Sequence, residues 1–173
     1  MCSSARSGTT LDGRTTGAIR SAASLRTTRF ICITSRANRW PGGNPETGYL
    51  NCDGSPTKTM ILNQRREGIY HYWNLNFGKR PQEELFDLKS DIDCVKNLAN
   101  LGSHSELKAG LKQQLFAELR EQGDPRMFEK GDVFDNYPYS GESTDNFYRR
   151  YMGGEKVRAG WVKSTDFEKE KLD

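Results

Sequence analysis

The chain has 173 residues, a formal net charge of +3 and a mean hydropathy of -0.83, with 34% hydrophobic residues. This length suits a single domain, and the low apolar content predicts a small core with much of the chain in loops. No run of about 18 apolar residues occurs, and no apolar stretch of roughly 7–15 residues follows the first arginines. We therefore expect neither a membrane-spanning helix nor a secretory signal.

The cysteines and histidines do not have the spacing of a metal site. No C-x-x-C pair occurs, and neither histidine lies at a zinc-ligand distance in sequence from a cysteine. We expect four free thiols and no metal site in this chain. The residues concerned are Cys2, Cys32, Cys52, Cys94, His71 and His104.

Residues 1–36 differ in composition from the rest. They contain six Ser, seven Thr, six Arg and four Ala, but no Lys or Glu and one acid, Asp12. All 11 Lys and 22 of the 23 acids come later. A shift of this size predicts a boundary near Arg36, with a disordered or targeting segment before it.

Three interpretations of residues 1–36 remain open. The segment resembles an organelle transit peptide in being rich in Arg and Ser and poor in acids. It also has the composition of a basic arm that binds nucleic acid or anionic surfaces. The third interpretation, which we favour, is translation in the wrong frame. Shifting the frame across Phe30–Ser35 permits a strand of the type Y-L-H-N-F, and one extra nucleotide near Arg36 restores the frame.

An irregular loop comes next, followed by helical character. Residues 38–59 are dense in Gly, Pro, Asn and Asp, which favour turns, and Trp40 and Tyr49 are their bulky anchors. Residues 57–72 predict a helix, because Met60 and Ile61 lie three and four residues before Gln64, with Gly68 four residues further on. Arg65 and Arg66 are expected to face solvent.

Residues 84–98 predict a short buried strand and a turn. Glu84–Leu88 carries Leu85 and Phe86 side by side, which indicates a strand covered on both faces. The run S-D-I-D over 90–93 supplies turn chemistry and an N-cap, and one helical turn over 94–98 is expected to follow. Asp91 and Asp93 are more typical of a cap than of a calcium site, because further oxygen ligands are missing nearby.

The clearest predicted element is a helix over 103–122. Ser103 and Glu106 fit a capping box, and Gly123 followed by Pro125 fits the end of a helix. Leucines recur every four residues and make one apolar stripe suited to packing on a sheet. They are Leu107, Leu111, Leu115 and Leu119, with Phe116 beside them. Residues 127–173 show no periodic stripe, and we expect an irregular arm rich in aromatic and charged residues.

Three segments resemble the C-terminal subdomain of the sulfatase family, of the heparan N-sulfatase type. They read N-R-W-P-G-G-N-P-E-T-G-Y over 38–49, R-P-Q-E-E-L-F-D-L-K-S-D-I-D-C-V-K-N-L-A-N over 80–100, and Q-L-F-A-E-L-R-E-Q-G-D-P-R over 114–126. The second is the most informative, because the family has a strand of the type E-L-Y-D-L, an acidic turn and N-L-A. The resemblance implies an α+β fold, in which a small antiparallel sheet carries one long amphipathic helix, with an extended C-terminal arm.

The same resemblance implies what the chain lacks. Family members use a formylglycine made from the Cys or Ser of a C/S-x-P-x-R motif, together with a calcium ion, and both belong to an N-terminal catalytic domain. This chain has no such motif, so we expect a sulfatase fragment over 37–126 that is inactive alone, with no catalytic or metal-binding residue and no cofactor. Family members are typically exported.

Substrate contact is the one role that such a piece is expected to retain. Arg39 can hold a sulfate or carboxylate through two hydrogen bonds, and Trp40 can stack on a sugar ring. The competing interpretation, which we favour, is that Trp40 anchors the loop and Arg39 caps it. The expected partners are a sulfated glycan or a sulfatase catalytic domain, with no membrane. Two further functions remain open, namely a non-catalytic binding module for either partner or for a polyanion, and, less favoured, nucleic-acid binding through the basic segment.

Overall fold

The computed structural model describes residues 21–26, 28–137 and 145–172 of the chain. Residues 1–20 of the basic segment, with Cys2, lie outside the described residues, as does Tyr139 of the C-terminal region. The strands are β1 (Ser21–Arg26), β2 (Arg29–Thr34) and β3 (Glu83–Asp87). The α-helices are α1 (Pro56–Arg66), α2 (His71–Asn76), α3 (Ser105–Glu121) and α4 (Phe147–Met152). Short 3₁₀ helices lie at Pro45–Thr47, Gly102–His104, Pro125–Phe128, Gly131–Asp135 and Ser164–Asp166. The α+β class expected from the sequence is confirmed.

The described residues form two compact units. The first contains the described residues from Ser21 to Ala37 together with Pro81–Phe134, and we call it the sheet unit. The second contains Asn38–Arg80 together with the chain from Asp135 onward, and we call it the helical unit. This division differs from the segments 1–36, 37–126 and 127–173 inferred from composition. The stretch that resembles sulfatases is shared between the two units.

A three-stranded antiparallel sheet forms the base of the sheet unit, in the order β1-β2-β3. Strand β2 reads R-F-I-C-I-T, and its β-branched and aromatic residues suit a pleated, half-buried surface. Phe30 lies directly opposite Phe86 with the two rings stacked, and Ile31 lies opposite Leu85. Arg29 forms an ion pair with Asp87 across the same strands. Its guanidinium lowers the pKa of that carboxyl group.

Strand β2 comes from the segment that composition set apart. We expected residues 1–36 to be disordered or mistranslated. Residues 29–33 are ordered and pair with β3 along its length, while the wrong-frame interpretation stays a prediction. Ile31 and Thr34 are buried there. The physical reason is that this strand carries enough apolar surface to join a core.

Helix α3 packs its leucine stripe into the core of the sheet unit. This core consists of Ile31, Leu85, Ala99, Leu111, Leu115 and Leu119. The predicted stripe is confirmed for three leucines, but Leu107 is 38% exposed. A spacing of four residues advances about 40° beyond one full turn on a helix of 3.6 residues per turn. Over four leucines the stripe therefore drifts off the buried face, and the first one reaches solvent.

The two ends of α3 compare differently with the prediction. The prediction of a capping box formed by Ser103 and Glu106 is wrong. A 3₁₀ turn precedes the helix, His104 is the capping residue without a side-chain bond, and the Ser103 hydroxyl lies 3.0 Å from His104 Nδ1. At the other end Gly123 has a φ of 70°, and its N–H donates to Arg120 O at 3.0 Å. Glycine tolerates this left-handed conformation without strain, so the predicted helix end is confirmed.

Asn97 holds the turn after β3 against the strand. Its Oδ1 accepts from Leu85 N at 3.0 Å and from Ala99 N at 2.9 Å, and its Nδ2 donates to Glu83 O at 3.2 Å. The predicted helical turn over 94–98 is wrong, because Cys94 has a φ of 54° and the chain runs alongside β3 instead. The amide side chain thus satisfies backbone groups that would otherwise lie unpaired beside the strand.

Two helices replace the single helical stretch expected over 57–72 in the helical unit. Ser55 Oγ accepts from Lys58 N at 3.1 Å, and Pro56 begins α1, which is a favourable helix start. The chain turns at Gly68, which has a φ of 88°, and α2 begins at His71.

The core of the helical unit is aromatic. It consists of Trp40, Tyr49, Ile61, Leu62, Trp73 and Phe77. The turn-rich loop before α1 is buried from residue 42 to residue 50. Gly48 in this loop has a φ of 79°, and a Cβ there would lie 3.0 Å from the ring of Phe167. The loop is therefore part of the packed interior of the unit.

The C-terminal residues 145–172 also belong to the helical unit, where we expected an extended arm. Phe147 of α4 is fully buried with Leu50 and Ala159 in a second small cluster. Trp161 Nε1 donates to Leu50 O at 2.8 Å, and Gly54 N donates to Trp161 O at 2.6 Å. Because these aromatics bury against the loop, the region has an interior in spite of its low apolar periodicity.

We predict that Leu115→Ala lowers the free energy of unfolding of the sheet unit by about 2–5 kcal/mol, because it removes buried methyl groups from the centre of the stripe and leaves a cavity. Leu107→Ala is the matched control on the same helix and should cost clearly less, since its side chain already meets solvent. Urea unfolding of both variants measures the difference. Equal losses would contradict the assignment of the buried face.

Candidate functional site

Arg39 is held by a carboxylate of the same unit. Its Nη1 and Nη2 donate to the two oxygens of Asp135 at 3.0 and 3.2 Å, and both side chains are largely buried. A planar guanidinium forms two parallel bonds with a carboxylate in this geometry, which is also the geometry in which it holds a sulfate. Asp135 thus occupies the position that a substrate anion would need.

Trp40 lies in the core of the helical unit. It is 7% exposed, and its ring meets Trp73 edge-on with centroids 5.8 Å apart. The ammonium of Lys79 lies 4.6 Å from the ring centroid of Trp40. Packed against Trp73 and Lys79 in this way, Trp40 supports the loop from within the core.

Lys58 is the most unusual side chain of the helical unit. It lies in the first turn of α1, yet its side chain is 1% exposed. The ammonium donates to the carbonyl oxygens of Gly48 at 2.8 Å, Tyr49 at 3.4 Å and Cys52 at 2.6 Å, and lies 3.4 Å from Asp166 Oδ2. We call this arrangement the Lys58 cage. Burying a charge is costly unless it is paired and hydrogen-bonded, and here both conditions are met.

The cage joins three parts of the chain that are distant in sequence. The carbonyls belong to the loop before α1, the ammonium to α1, and the carboxylate to the 3₁₀ turn Ser164–Asp166. Asp166 Oδ2 also accepts from Lys163 N at 3.1 Å, which closes that turn. Asp166 Oδ1 is buried without a hydrogen-bond partner among the described residues. The ammonium is therefore the main group that offsets the burial of this carboxylate.

A second carboxylate reinforces the same contact between α1 and the C-terminal residues. Glu168 is 9% exposed, and its Oε2 lies 2.8 Å from Arg65 Nη2 while its Oε1 lies 3.1 Å from Arg66 Nη2. Arg66 Nη2 also donates to Thr165 O at 3.0 Å. The expectation that Arg65 faces solvent is wrong, because Glu168 provides a partner that local periodicity does not reveal. Arg66 remains exposed, as expected, although it also contacts Glu168.

Two ionisable groups beside the cage have altered acidity. Burial raises the pKa of Tyr49 to about 12, although the hydrogen bond from Trp73 Nε1, 3.0 Å from its hydroxyl oxygen, acts in the opposite direction. Burial also raises the pKa of the Cys52 thiol, with the Lys58 ammonium acting against it. A raised thiol pKa disfavours the thiolate, so Cys52 is a poor nucleophile in this environment.

The acidic and histidine residues considered at the sequence level have structural neighbours. Asp91 accepts from Val95 N at 3.1 Å and from Lys96 N at 2.8 Å, which is the behaviour of a capping residue. His71 packs edge-on against Tyr72 on the surface. Within residues 21–26, 28–137 and 145–172, no three side chains of the metal-binding types come together.

The Lys58 cage could hardly be predicted from the sequence. Lysine is rarely buried, so a lysine in the first turn of a predicted helix is expected to face water. The cue available was the run C-D-G-S-P-T-K, where a capping Ser and a helix-starting Pro fix how α1 enters. Its carboxylate partner lies more than a hundred residues later, beyond the reach of any local pattern.

The chain was compared with known proteins in three ways. A scan against protein-family models found no match, and neither did a search of curated proteins or a search of solved structures. Among the helices that the structure describes, none has the length and apolar character needed to cross a membrane.

We predict that Lys58→Met lowers the free energy of unfolding of the helical unit by about 3–5 kcal/mol, because it leaves the buried Asp166 carboxylate without its cation. Lys156→Met is the matched control, since Lys156 is an exposed lysine of the same unit, and it should have little effect. Adding Asp166→Asn to Lys58→Met should cost less than the sum of the two single changes. Additive losses in urea unfolding would contradict the coupling.

Tyr49 should make stability fall at alkaline pH. An unfolded tyrosine ionises near pH 10, whereas the folded phenol stays neutral up to about pH 12, so the folded state binds more protons between these values. The free energy of unfolding should drop by about 2–3 kcal/mol over this window. Urea unfolding from pH 8 to pH 12 tests it. Tyr49→Phe should remove this part of the decline, and Tyr72→Phe, at a half-exposed tyrosine, should retain it.

Proposed function

We propose that this chain is the C-terminal part of a sulfatase-type hydrolase acting on sulfated glycans, of the heparan N-sulfatase group. In this proposal it is a scaffold for a separate catalytic domain and has no activity alone. The proposal rests on the resemblance of three segments of the sequence, and above all on what the residues of the 80–100 stretch do in the fold.

The observation that carries the proposal is the use of Asn97. In the pattern E-L-F-D-L followed by N-L-A, this asparagine binds backbone groups of β3 through three hydrogen bonds. Leu98 N adds a bond to Leu85 O at 2.8 Å. These bonds hold the strand to an asparagine some ten residues later, which gives the motif a structural role in this chain.

The polar groups of the same stretch are likewise engaged in structure. Asp87 pairs with Arg29, and Asp91 caps the turn. Glu83 lies 2.7 Å from Lys108 Nζ and 2.6 Å from Lys112 Nζ, and these two ammonium groups lower its pKa. Because these carboxylates are paired with residues of the same unit, they support a structural role for this part of the chain.

Arg39 and Trp40 remain candidates for substrate contact under one condition. Arg39 can take a sulfate only if Asp135 gives up the guanidinium, and Trp40 can stack on a sugar only if Lys79 moves from its ring. Contact with a catalytic domain is the kind of event that could exchange these partners. In the isolated chain both residues support the loop.

Nucleic-acid binding through the basic segment receives less support. Arg29 and Arg36, the two arginines of this segment whose side chains the structure describes, form ion pairs with Asp87 and Asp132. Such pairing reduces the positive charge available to phosphates.

We predict that the purified chain hydrolyses neither N-sulfoglucosamine nor a chromogenic aryl sulfate above the buffer rate, with or without calcium. An intact sulfatase assayed in parallel is the positive control. Sequencing of the gene and its upstream region provides the second measurement and should reveal a reading frame that encodes C/S-x-P-x-R, with a frame interruption before Ala37. Turnover by the pure chain would contradict inactivity, and an uninterrupted region without that motif would contradict the sulfatase origin.

A further inference from the structure

A strip of side chains runs along the outward face of α1 and lines an open groove of about 520 Å³. The helix side contributes positions 56, 59, 60, 63, 64 and 67, and Lys163 of the C-terminal residues completes the lining. Positions three and four apart lie on one face of a helix, so these side chains form one continuous surface. All of them belong to the helical unit.

The strip carries one exposed charge near each end. Lys163 lies beside the N-terminal end of α1, because a Cβ on Gly54 would lie 3.2 Å from its Cγ. Glu67 follows the last residue of the helix, about 16 Å from Pro56 along the helix axis. Neither the Lys163 ammonium nor the Glu67 carboxylate has an ion-pair partner in the part of the chain that the structure describes. This separation is too long for one small ligand to pair with both groups.

The middle of the strip offers an apolar contact and a hydrogen-bond donor. Met60 is 50% exposed, and a methionine side chain adapts to an irregular partner surface. Asn63, on the same face, is also exposed, and its Oδ1 accepts from Arg66 Nη1 at 3.1 Å. Its Nδ2 can therefore donate to another molecule. Met60 and Asn63 lie on either side of the midpoint of α1.

We propose that this strip is a self-association surface, on which α1 of a second copy of the chain lies antiparallel. A two-fold axis through the midpoint of α1 reverses the second helix, so each end of one strip faces the opposite end of the other. Lys163 of each copy then faces Glu67 of the other copy, and both charges are paired. The antiparallel arrangement also places the positive end of each helix dipole beside the negative end of its neighbour.

Charge and length together select a second copy as the partner. Two opposite charges about 16 Å apart match a partner with the same charges in reverse order at the same distance, and the chain itself is such a partner. A polyanion would be repelled by Glu67, and a small ligand at one end would leave the other charge unpaired. At the centre, Met60 meets the same residue of the second copy. This inference is independent of the proposed sulfatase origin.

The size of the surface sets the expected strength. A contact confined to one face of a short helix is smaller than the standard interface of about 1,600 Å², so the dimer should be weak. Sedimentation equilibrium of the full chain from about 10 μM to 1 mM covers the range in which such a dimer forms. The apparent mass should rise from that of one chain toward that of two.

Charge reversal tests the antiparallel pairing. Lys163→Glu and Glu67→Lys each place like charges at both ends of the strip and should weaken association at least about tenfold. An equimolar mixture of the two variants should restore it, because in the mixed pair both ends again carry opposite charges. The double variant with both changes should restore it as well. Lys171→Glu and Glu170→Lys, at exposed residues outside the strip, control for net charge and should have no effect.

A change at the centre locates the surface. Met60→Asp should abolish association, because it buries two unpaired carboxylates against each other. Met152→Asp is the matched control, at a methionine of α4 that is 54% exposed, and should leave association unchanged. Since the substituted residues are exposed, circular dichroism should match that of the unchanged chain. The proposal is overturned by a chain that stays monomeric at about 1 mM, by association that survives either single charge reversal, or by a mixture that does not recover.

Discussion

One ammonium group, that of Lys58, links the parts of the helical unit. The loop before α1 has no strand or long helix to satisfy its carbonyl groups, and three of them turn toward this charge. The same charge makes the burial of Asp166 possible, and Asp166 in turn closes the 3₁₀ turn that brings Glu168 to Arg65 and Arg66. An apolar group at this position would remove the donor to the carbonyl groups of Gly48 and Cys52 and the cation beside the carboxylate, so the conformation of the loop depends on the lysine.

The sequence was most informative where order is local. The end of α3 follows from Gly123 and Pro125, and the buried strand follows from the adjacent Leu85 and Phe86. Both are set by residues within a few positions of one another. The sequence was misleading at the start of α3, where a 3₁₀ turn shifts the first residue of the helix. The Ser103 hydroxyl, which was predicted to cap the helix, lies beside His104 Nδ1 instead. It was silent where partners are far apart, as with Lys58 and Asp166.

The candidate site shows the same limit. Residue type and the family resemblance together led to Arg39 and Trp40, because arginine and tryptophan are suited to anions and sugars. Only the fold reveals that both side chains are largely buried, with Arg39 paired to Asp135 and Trp40 in contact with Lys79.

The position of Trp161 has a consequence for synthesis of the chain. Its ring nitrogen binds a carbonyl 111 residues earlier, at Leu50. During translation, the described residues of the sheet unit have all been synthesised once residue 134 has emerged from the ribosome. The loop, α1 and α2, although translated before most of that unit, must wait for the last residues to supply their carboxylates and aromatics. Order of folding thus runs against order of translation, and an unfinished chain exposes its aromatic loop to chaperones and to aggregation.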